Sequence, residues 1–368
     1  MLSIVIPTWN GLHLLRENLP SVLRAADYFG QHGQRPWEII VVDDGGDDDT
    51  AQALPREFPQ VELVRRPLNG GFSPACNTGF RHCRYPVVAL LNNDVRVEED
   101  YFVHLAGHFS EGDPAERLFA VTARVFEWDE PVFATGGKVG RFRRGFWSVY
   151  FNYDVDDSPQ ARRWTAERRL LSFYAVGGFA AYRRDKLEEL GGFLEILAPF
   201  HWEDIDLSYR AWKRGWEVRY EPRSLARHRT SATIEAHYKR PQVEEASLRN
   251  RLLFHWINCH SLSWMAAHLL SLKVKILTRI LAGDRGFYRA LWGALKRWPE
   301  VRRLRRLEKS AARRRDSQVA ELLSEFYARA PIGVYYNRSQ VVSRHPGLPE
   351  PAERQPQPSS RRAERDAS

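Results

Sequence analysis

The first hundred residues alternate between apolar, β-branched runs and amphipathic helical patterns, and this alternation limits the chain to few folds. Four runs predict β-strands, namely SIVIPTW, WEIIVVD, VELVR and PVVALL. Between them, apolar residues recur at helical spacing, as in Leu15, Leu19 and Val22. A βαβαβαβ order predicts a parallel sheet covered by helices. The near-continuous Val, Ile and Leu content predicts strands that are buried on both faces.

Polar residues follow three of these strands at their carboxyl ends. They are Thr8, Trp9 and Asn10 after the first strand, Asp43 and Asp44 after the second, and Asn92, Asn93 and Asp94 after the fourth. Ligands of open α/β sheets bind outside the carboxyl ends of the strands, so we expect these side chains to share one crevice. Carboxylate and amide oxygens also suit a divalent metal ion that accompanies a diphosphate.

A second acidic cluster lies in HWEDIDLSYRAWKRGW, which begins irregularly at His201 and then takes on a helical pattern. Glu203, Asp204 and Asp206 stand at the start of the predicted helix. One interpretation is that these acids only complement the helix dipole. The other is catalytic, because two adjacent carboxylates in one pocket raise the pKa of one of them, which suits a general base near neutral pH.

Five segments in order carry a family resemblance: SIVIPTWN, EIIVVDDGGDDDT, NGGFSPACNTGF, LLNNDV and HWEDIDLSYRAWKRGW. Together they resemble the family 2 inverting glycosyltransferases, and in particular bacterial rhamnosyltransferase-like members. The resemblance covers roughly residues 1–255. It implies an α/β GT-A fold, a Rossmann-like mixed sheet flanked by helices, with a C-terminal helical extension. It also implies transfer of a sugar from a dTDP- or UDP-sugar, with rhamnose as one candidate, to a hydroxyl with inversion of the anomeric centre.

The resemblance assigns a donor-binding role to the strand ends and to two glycine-containing turns. The implied nucleotide-sugar residues are Pro7, Thr8, Trp9, Asn10, Asp43, Asp44, Gly70, Asn77, Asn92, Asn93 and Gly178. The turn Asn69–Phe72 lets a backbone approach a ligand closely, because its two glycines lack Cβ atoms. The alternative for this segment is a plain turn.

The resemblance also implies a metal site and a catalytic pair. The family's Asp-any-Asp triplet is Asn92-Asn93-Asp94 in this sequence, so the first carboxylate is missing. Asp94 and His228 are the implied ligands of a Mg²⁺ or Mn²⁺ ion, although a lone histidine is more often structural. Asp204 is the implied catalytic base, and Glu203 orients it or holds the acceptor.

Two other functional classes stay open at this point. A nucleotidyltransferase also binds nucleotides at strand ends, but it would carry a glycine-rich, basic phosphate loop that IPTWNGLHLL lacks. A non-catalytic module could bind glycans or nucleic acid through the basic segment described below. The acidic residues at the strand ends argue against a polyanionic partner, so we expect no nucleic acid to bind.

The chain divides into three predicted regions. Residues 1–245 form the catalytic domain, with a nucleotide-binding half (1–100) and an acceptor and catalytic half (101–245). Residues 246–330 form a helical, basic extension. The segment 346–368 is rich in Pro, Ser and charge and has no apolar content to bury, which predicts disorder.

Most of the net charge of +9 lies in residues 296–315, where ten Lys and Arg face Glu300 and Glu308. This segment therefore carries +8, and the remainder of the chain carries +1. A solvated helix face, a surface for anionic lipid headgroups and a surface for nucleic acid are the candidate roles of this segment.

The uncharged stretch 252–272 precedes this basic segment. It continues into a stripe of Leu270, Val274, Leu277 and Leu281. We consider a helix in the membrane interface, a helix packed on the catalytic domain, and a spanning helix.

The expected location is the cytoplasm, with a peripheral position on the cytoplasmic face of the inner membrane as the alternative. The three cysteines form no CxxC pair, which favours a reducing compartment. The N-terminal residues lack the basic region of a signal peptide. The expected partners are a nucleotide-sugar donor, a glycan or lipid-linked glycan acceptor, and an anionic membrane surface.

Overall fold

The computed structural model describes residues 1–33, 35–109, 117–229, 238–336 and 340–343. The predicted disordered tail, 346–368, lies outside these residues. The N-terminal strands are β1 (Leu2–Thr8), β2 (Trp37–Asp43), β3 (Glu62–Arg65), β4 (Val87–Leu91) and β5 (Val95–Val97). The helices among them are α1 (Leu12–Gln31), α2 (Thr50–Glu57), α3 (Phe72–His82) and α4 (Tyr101–Gly107). The predicted order of strands and helices up to β4 is therefore confirmed.

The middle of the chain adds strands and the helix that carries the acidic cluster. The strands are β6 (Leu118–Glu127), β7 (Phe133–Thr135), β8 (Gly137–Arg143), β9 (Phe146–Val155), β10 (Phe179–Arg183) and β11 (Glu217–His228). The helices are α5 (Pro159–Ala166), α6 (Arg184–Glu189) and α7 (Glu203–Arg214).

Five helices and two strands follow in the C-terminal part. The helices are α8 (Arg240–Asn258), α9 (Leu262–Leu281), α10 (Arg285–Leu295), α11 (Trp298–Ala311) and α12 (Asp316–Arg329). The strands are β12 (Ile332–Tyr336) and β13 (Gln340–Ser343). The helical run agrees with the prediction from sequence, whereas the return to strand structure after α12 was not predicted.

The main sheet has the order β3-β2-β1-β4-β10-β6-β11-β5, and β7 pairs with β6. Strands β1 to β4 are parallel, as predicted. Strand β10 then runs antiparallel to both β4 and β6, so the sheet is mixed. A second sheet, in the order β13-β12-β9-β8, joins the C-terminal strands to the middle of the chain.

Both faces of the main sheet are buried. Along β1, Ile4 packs into the core under α1 and α4, and the next residue, Val5, packs into the opposite core under α3 and α7. Strand side chains alternate between the two faces of a sheet, so this arrangement requires apolar residues at successive positions. The sequence run SIVIP meets that requirement.

Helix α9 exposes the apolar stripe that the sequence indicated. Leu270, Val274, Leu277 and Leu281 are 53–89% exposed. The helix packs instead through other positions, of which His268 and Leu272 are buried. The stripe itself therefore does not pack on the catalytic domain. Among the described residues, no helix has the length and hydropathy needed to cross a bilayer.

Candidate active site

A cavity of about 310 Å³ opens at the carboxyl ends of β1 and β4. Ten residues that the sequence predicted for the site line it: Pro7, Thr8, Trp9, Asp44, Asn92, Asn93, Asp94, Glu203, Asp204 and His228. These residues come from separate segments of the chain that lie far apart in sequence. The fold therefore brings the predicted donor, metal and catalytic residues into one enclosure.

Asn93 joins the ends of β1 and β4. Its side-chain amide donates a hydrogen bond to Thr8 Oγ1 at 2.8 Å, and its backbone carbonyl accepts one from Asn18 Nδ2 at 3.0 Å. The backbone N–H of Asp44 donates to the Thr8 carbonyl at 2.9 Å, which attaches the end of β2 to the same point. These buried bonds fix the three strand ends relative to one another.

Asp44 holds the glycine turn against the cavity. Its carboxylate accepts hydrogen bonds from the backbone N–H groups of Gly70 and Gly71 and pairs with Arg66. Gly71 lines the cavity with a φ of +90°, and a Cβ built on it would lie 2.8 Å from Pro199 Cα. This position therefore requires glycine both for its backbone conformation and for its close approach to Pro199.

Gly70, the glycine that the resemblance implies for donor binding, packs against Arg66 and does not line the cavity. A Cβ at Gly70 would meet the Arg66 guanidinium at 2.7 Å. Gly178 likewise packs on Asn92, because a Cβ there would lie 2.3 Å from Asn92 Oδ1. The other glycine of each pair, Gly71 or Gly177, lines the cavity. The resemblance implies a place beside the donor sugar for both Gly177 and Gly178.

Asn10 and Asp43 support the loop after β2 and do not line the cavity. Asn10 Oδ1 accepts a hydrogen bond from the backbone N–H of Asp47 at 2.7 Å. Asp43 accepts one from the N–H of Gly46 at 2.8 Å and lies 3.4 Å from Arg65 Nε. Burial raises the pKa of Asp43.

Asn77 also lies outside the cavity lining. Its amide donates to the Phe193 carbonyl at 2.9 Å, and its Oδ1 accepts from the Phe193 N–H at the same distance. The side chain therefore ties α3 to the segment before α7. The position of Asn77 on the helix after the glycine pair gave no sign of this internal partner.

Asp94 and His228 face each other at the edge of the cavity. Strand β11 runs antiparallel to β5 and sets His228 beside Val95. His228 Nε2 lies 3.2 Å from Asp94 Oδ1, which is buried and receives no hydrogen bond within the described part of the chain. A carboxylate oxygen and an imidazole nitrogen this close together suit a divalent cation. No group of three or more His, Cys, Asp or Glu ligands occurs among the described residues.

Asp204 and Glu203 begin α7 in different environments. Asp204 Oδ2 accepts a hydrogen bond from the Gly177 N–H at 3.2 Å, and Oδ1 accepts one from the Ile205 N–H at 2.7 Å. Glu203 is buried, and its Oε2 has no hydrogen-bond partner in the described chain. Burial raises the pKa of both carboxyls, and the charge of Asp204 raises that of Glu203 further.

When the two carboxyls together hold one proton, that proton lies on Glu203. Hydrogen bonds from backbone N–H groups stabilise the charged form of a carboxylate, and Asp204 has two of them. Glu203 has the orphaned oxygen. Asp204 is thus the carboxyl whose charged form is better stabilised, and Glu203 is the one whose protonated form is favoured.

The backbone that leads into α7 is strained and held from α8. His201 and Trp202 have φ values of +72° and +76°, a region that non-glycine residues rarely occupy. Asn250, fully buried on α8, donates hydrogen bonds to the carbonyls of Phe200 and His201 at 3.0 and 2.9 Å. The C-terminal helices therefore fix the loop that presents the acidic pair Glu203 and Asp204.

The sequence left several lining residues unidentified: Asn69, Gly71, Phe72, Ala75, Pro199, Phe200, His201 and Tyr238. Gly71 and Phe72 belong to the NGGF turn, and Pro199 and Phe200 directly precede the acidic cluster. Tyr238 had no such signal, because it reaches the cavity only through the tertiary fold.

The comparison with known families assigns the chain. The profile described as glycosyl transferase family 2 matches residues 3–191. The chain belongs to this family. The match includes the strand ends and the glycine turn, and it ends before α7. The profile match therefore does not include Glu203 and Asp204. Their assignment to the site depends on their position in the cavity.

Relatives of this family 2 chain include a pre-mycofactocin glycosyltransferase of Mycobacterium tuberculosis. It is 27% identical over 234 residues, which is 61% of this chain and 42% of the relative. An undecaprenyl-phosphate 4-deoxy-4-formamido-L-arabinose transferase of Pseudomonas savastanoi is 36% identical over 98 residues, 26% of this chain and 28% of the relative. This chain thus spans less than half the length of both relatives.

The fold of the family 2 chain is that of GT-A glycosyltransferases. The crystal structure of GalNAc-T7 with UDP, GalNAc and Mn²⁺ superimposes with a TM-score of 0.51 and 19% identity. The superposition covers 70% of this chain and 48% of that one. The predicted α/β fold class, with its mixed sheet and C-terminal helices, is confirmed.

Proposed function

We propose that this protein transfers a sugar from a nucleotide-diphospho-sugar to a hydroxyl of a surface-glycan or lipid-linked acceptor, with inversion of the anomeric centre. One observation carries the proposal. The cavity that contains the strand-end residues Thr8, Asn93 and Asp94 also contains the buried carboxyl pair Glu203 and Asp204. Nucleotide binding alone would not require Glu203 and Asp204, which lie on α7, apart from the strand ends.

The donor half of the cavity suits a nucleoside diphosphate. Trp9 offers an aromatic face for a base at the end of β1, and Asp44 lines the same cavity. GalNAc-T7, which shares the fold, was solved with UDP. We infer a UDP- or dTDP-sugar as donor, with rhamnose as one candidate sugar.

A divalent cation fits beside the donor diphosphate. Asp94 Oδ1 and His228 Nε2 would hold it, and phosphate oxygens would complete its ligand set. When bound, Mg²⁺ or Mn²⁺ would neutralise charge on the departing nucleotide diphosphate. Asn92 has an amide where the family's triplet has a carboxylate. The proposed protein ligands are therefore two, Asp94 and His228.

Asp204 acts as the general base. It takes the proton of the acceptor hydroxyl, and the oxygen attacks the anomeric carbon from the face opposite the diphosphate. The bond between the anomeric carbon and the diphosphate oxygen breaks as the new glycosidic bond forms, which inverts the centre. Neutral Glu203 keeps a second negative charge away from the attacking oxygen.

We also propose that the protein binds to an anionic membrane surface, where it meets its acceptor. The exposed stripe on α9 is accompanied by the exposed Lys273 and Arg279, and the basic segment 296–315 follows it. Apolar and basic residues on one helix suit a helix that lies in the lipid interface. The undecaprenyl-phosphate transferase among the relatives is named for a lipid carrier. A position on the cytoplasmic face of the inner membrane would match such an acceptor.

Calorimetry with UDP and dTDP tests the donor assignment. Binding of either nucleotide in the presence of Mn²⁺ or Mg²⁺ is expected. Asp94→Ala should weaken binding of the diphosphate more than binding of the free nucleoside, because the nucleoside carries no phosphate. Failure of both nucleotides to bind would reject the proposal.

A further inference from the structure

A second cavity, of about 460 Å³, adjoins the first on the side of the loop that precedes α7. Pro199, Phe200 and Tyr238 line both cavities. The second cavity continues between α8 and α10, where Gln242, Glu245, Ala246, Arg249, Arg289, Gly293 and Arg297 complete its lining. It is therefore reached along two residues of the loop that leads into the catalytic acids.

The charge of this second cavity is positive and incompletely neutralised. Three arginines face one glutamate, Glu245, which pairs with Arg289 at 2.7 Å. Arg249 and Arg297 form no ion pair with any carboxylate in the described ranges of the chain. Arg297 Nη1 donates to the Gly293 carbonyl on the preceding helix α10, at 2.8 Å. Two guanidinium groups without a carboxylate partner in one concave site favour an anion.

Close packing brings these two arginines together. Gly293 lies opposite Arg249, and a Cβ built on this glycine would sit 3.4 Å from Arg249 Cδ. Burial, and then the positive charge of Arg297, lowers the pKa of Arg249 to about 10. A bound anion would relieve the repulsion between the two guanidinium groups.

The second cavity is also linked to the catalytic loop. Arg249 Nη2 donates to the carbonyl of Ala198, and its neighbour Asn250 holds the carbonyls of Phe200 and His201. An anion seated on Arg249 would therefore be bonded, through this side chain, to the segment that presents Glu203.

We propose that this second cavity binds the phosphate or diphosphate of the acceptor, so that the acceptor is recognised by its anionic carrier group while its hydroxyl reaches Asp204. The inference rests on the proposed transferase function and specifies its acceptor class. The donor diphosphate has a separate place beside Asp94 and His228. The carrier group would thus identify the acceptor independently of its sugar.

The test is calorimetry on the full chain with the donor site filled by UDP and Mn²⁺. Geranyl diphosphate, a short prenyl diphosphate, is then titrated into the wild type, Arg297→Gln and Arg303→Gln. Arg303 is the matched control, since it lies on α11 outside the cavity and its side chain is 59% exposed. UDP affinity should be equal in all three proteins, which verifies that they are folded.

We expect Arg297→Gln to weaken geranyl diphosphate binding by about tenfold or more, the scale of a lost hydrogen bond between charged groups. Arg303→Gln should bind as the wild type does. Inorganic pyrophosphate should displace the ligand, because the arginines recognise the anion. Equal binding by Arg297→Gln, no binding by the wild type, or no displacement by pyrophosphate would overturn the inference.

Two further arms distinguish an acceptor site from a membrane-binding surface and from a failed donor site. Loss of binding to anionic vesicles in Arg297→Gln, with unchanged affinity for geranyl diphosphate, would assign the arginines to the membrane surface and overturn the inference. Failure of UDP itself to bind would instead reject the transferase proposal. Titration of geranyl diphosphate without UDP would then still decide whether the second cavity recognises a diphosphate.

Discussion

The backbone N–H of Gly177 donates a hydrogen bond to Oδ2 of Asp204 across 3.2 Å. This bond joins the turn before β10, at the centre of the sheet, to the first turn of α7. It stabilises the charged form of Asp204, while Glu203 beside it has an oxygen without a partner among the described residues. The two adjacent acids therefore differ in environment, and this difference supports the proposed assignment of Asp204 as the base.

Glu203→Gln should stabilise the protein at neutral pH. Burial raises the pKa of Glu203 well above its ordinary value, so the folded state keeps a proton that the unfolded state has lost. Stability therefore falls as pH rises through the ordinary glutamate range, and glutamine removes this penalty. We expect a higher Tm than wild type at about pH 8 and no gain at about pH 4. An equal Tm change at both values would contradict the raised pKa.

The acid limb of the activity profile should report the same pair. In the proposed reaction Asp204 must be ionised to accept a proton, and burial raises the pKa of this carboxyl. The value of kcat/KM should therefore begin to fall at a pH above about 4, the ordinary range of aspartate. The midpoint belongs to the coupled pair and not to one residue. A profile that stays flat down to that range would argue against an ionised Asp204.

Asp206→Asn should lower the free energy of unfolding and leave the cavity unchanged. Asp206 is fully buried, accepts from Arg210 Nε at 2.8 Å and from Asn258 Nδ2 at 2.6 Å, and does not line the cavity. Leaving Arg210 without its partner should cost about 3 kcal/mol of unfolding free energy. The matched control is Glu188→Gln, which breaks an exposed pair with Arg184 at the same spacing and should cost under about 0.5 kcal/mol. Denaturant titration of both variants decides.

Gly71→Ala should impair donor binding through its contact with Pro199. Two effects combine at this residue, a φ of +90° and a Cβ that would approach Pro199 Cα to 2.8 Å. Gly191→Ala is the control, because Gly191 has a φ of +71° with nothing within 4 Å of its Cβ position. Gly191→Ala should cost about 1 kcal/mol of stability and leave UDP affinity unchanged. Gly71→Ala should cost more and also weaken UDP binding. Equal behaviour of the two variants would remove the role of the close contact.

Leu277→Glu should weaken binding to anionic vesicles. Leu277 is 56% exposed at the middle of the stripe on α9. Leu262→Glu, at the first residue of the same helix and 87% exposed, is the control outside the stripe. Each basic residue near an anionic surface contributes about 1 kcal/mol, so wild-type binding should also weaken with salt. If the wild type binds neutral and anionic vesicles equally well, the electrostatic contribution to membrane binding is rejected.

Much of the N-terminal fold could be predicted because its signals are local. Each strand is a short run of Val, Ile and Leu, and the polar residues at its end follow directly in sequence. Parallel pairing then brings Thr8, Asp44 and Asp94 to one edge of the sheet. The antiparallel position of β10 was not predictable in this way. It depends on a pairing of Ala180 with Leu90 that no local pattern encodes.

The site was predicted least well where a residue's partner is distant in sequence. Asn77 sits on the helix that follows the glycine pair, yet its amide is used by Phe193, more than a hundred residues later. The choice between Gly70 and Gly71 depended on Pro199, which no motif connects to them. Tyr238 reaches both cavities from a segment without any motif. These errors share one cause, since the tertiary contact that decides the role is absent from the local sequence.

We propose that Asp204 removes the proton of the acceptor hydroxyl. Asp204→Asn keeps the shape of the side chain and loses the proton acceptor, whereas Glu203→Gln keeps the base. The decisive measurement is turnover of Asp204→Asn with a matched donor and acceptor, taken together with UDP affinity and Tm. We predict unchanged UDP affinity, a folded protein, and a turnover lower by roughly 10²–10⁴-fold. A folded Asp204→Asn protein that binds UDP and turns over near the wild-type rate would contradict the account.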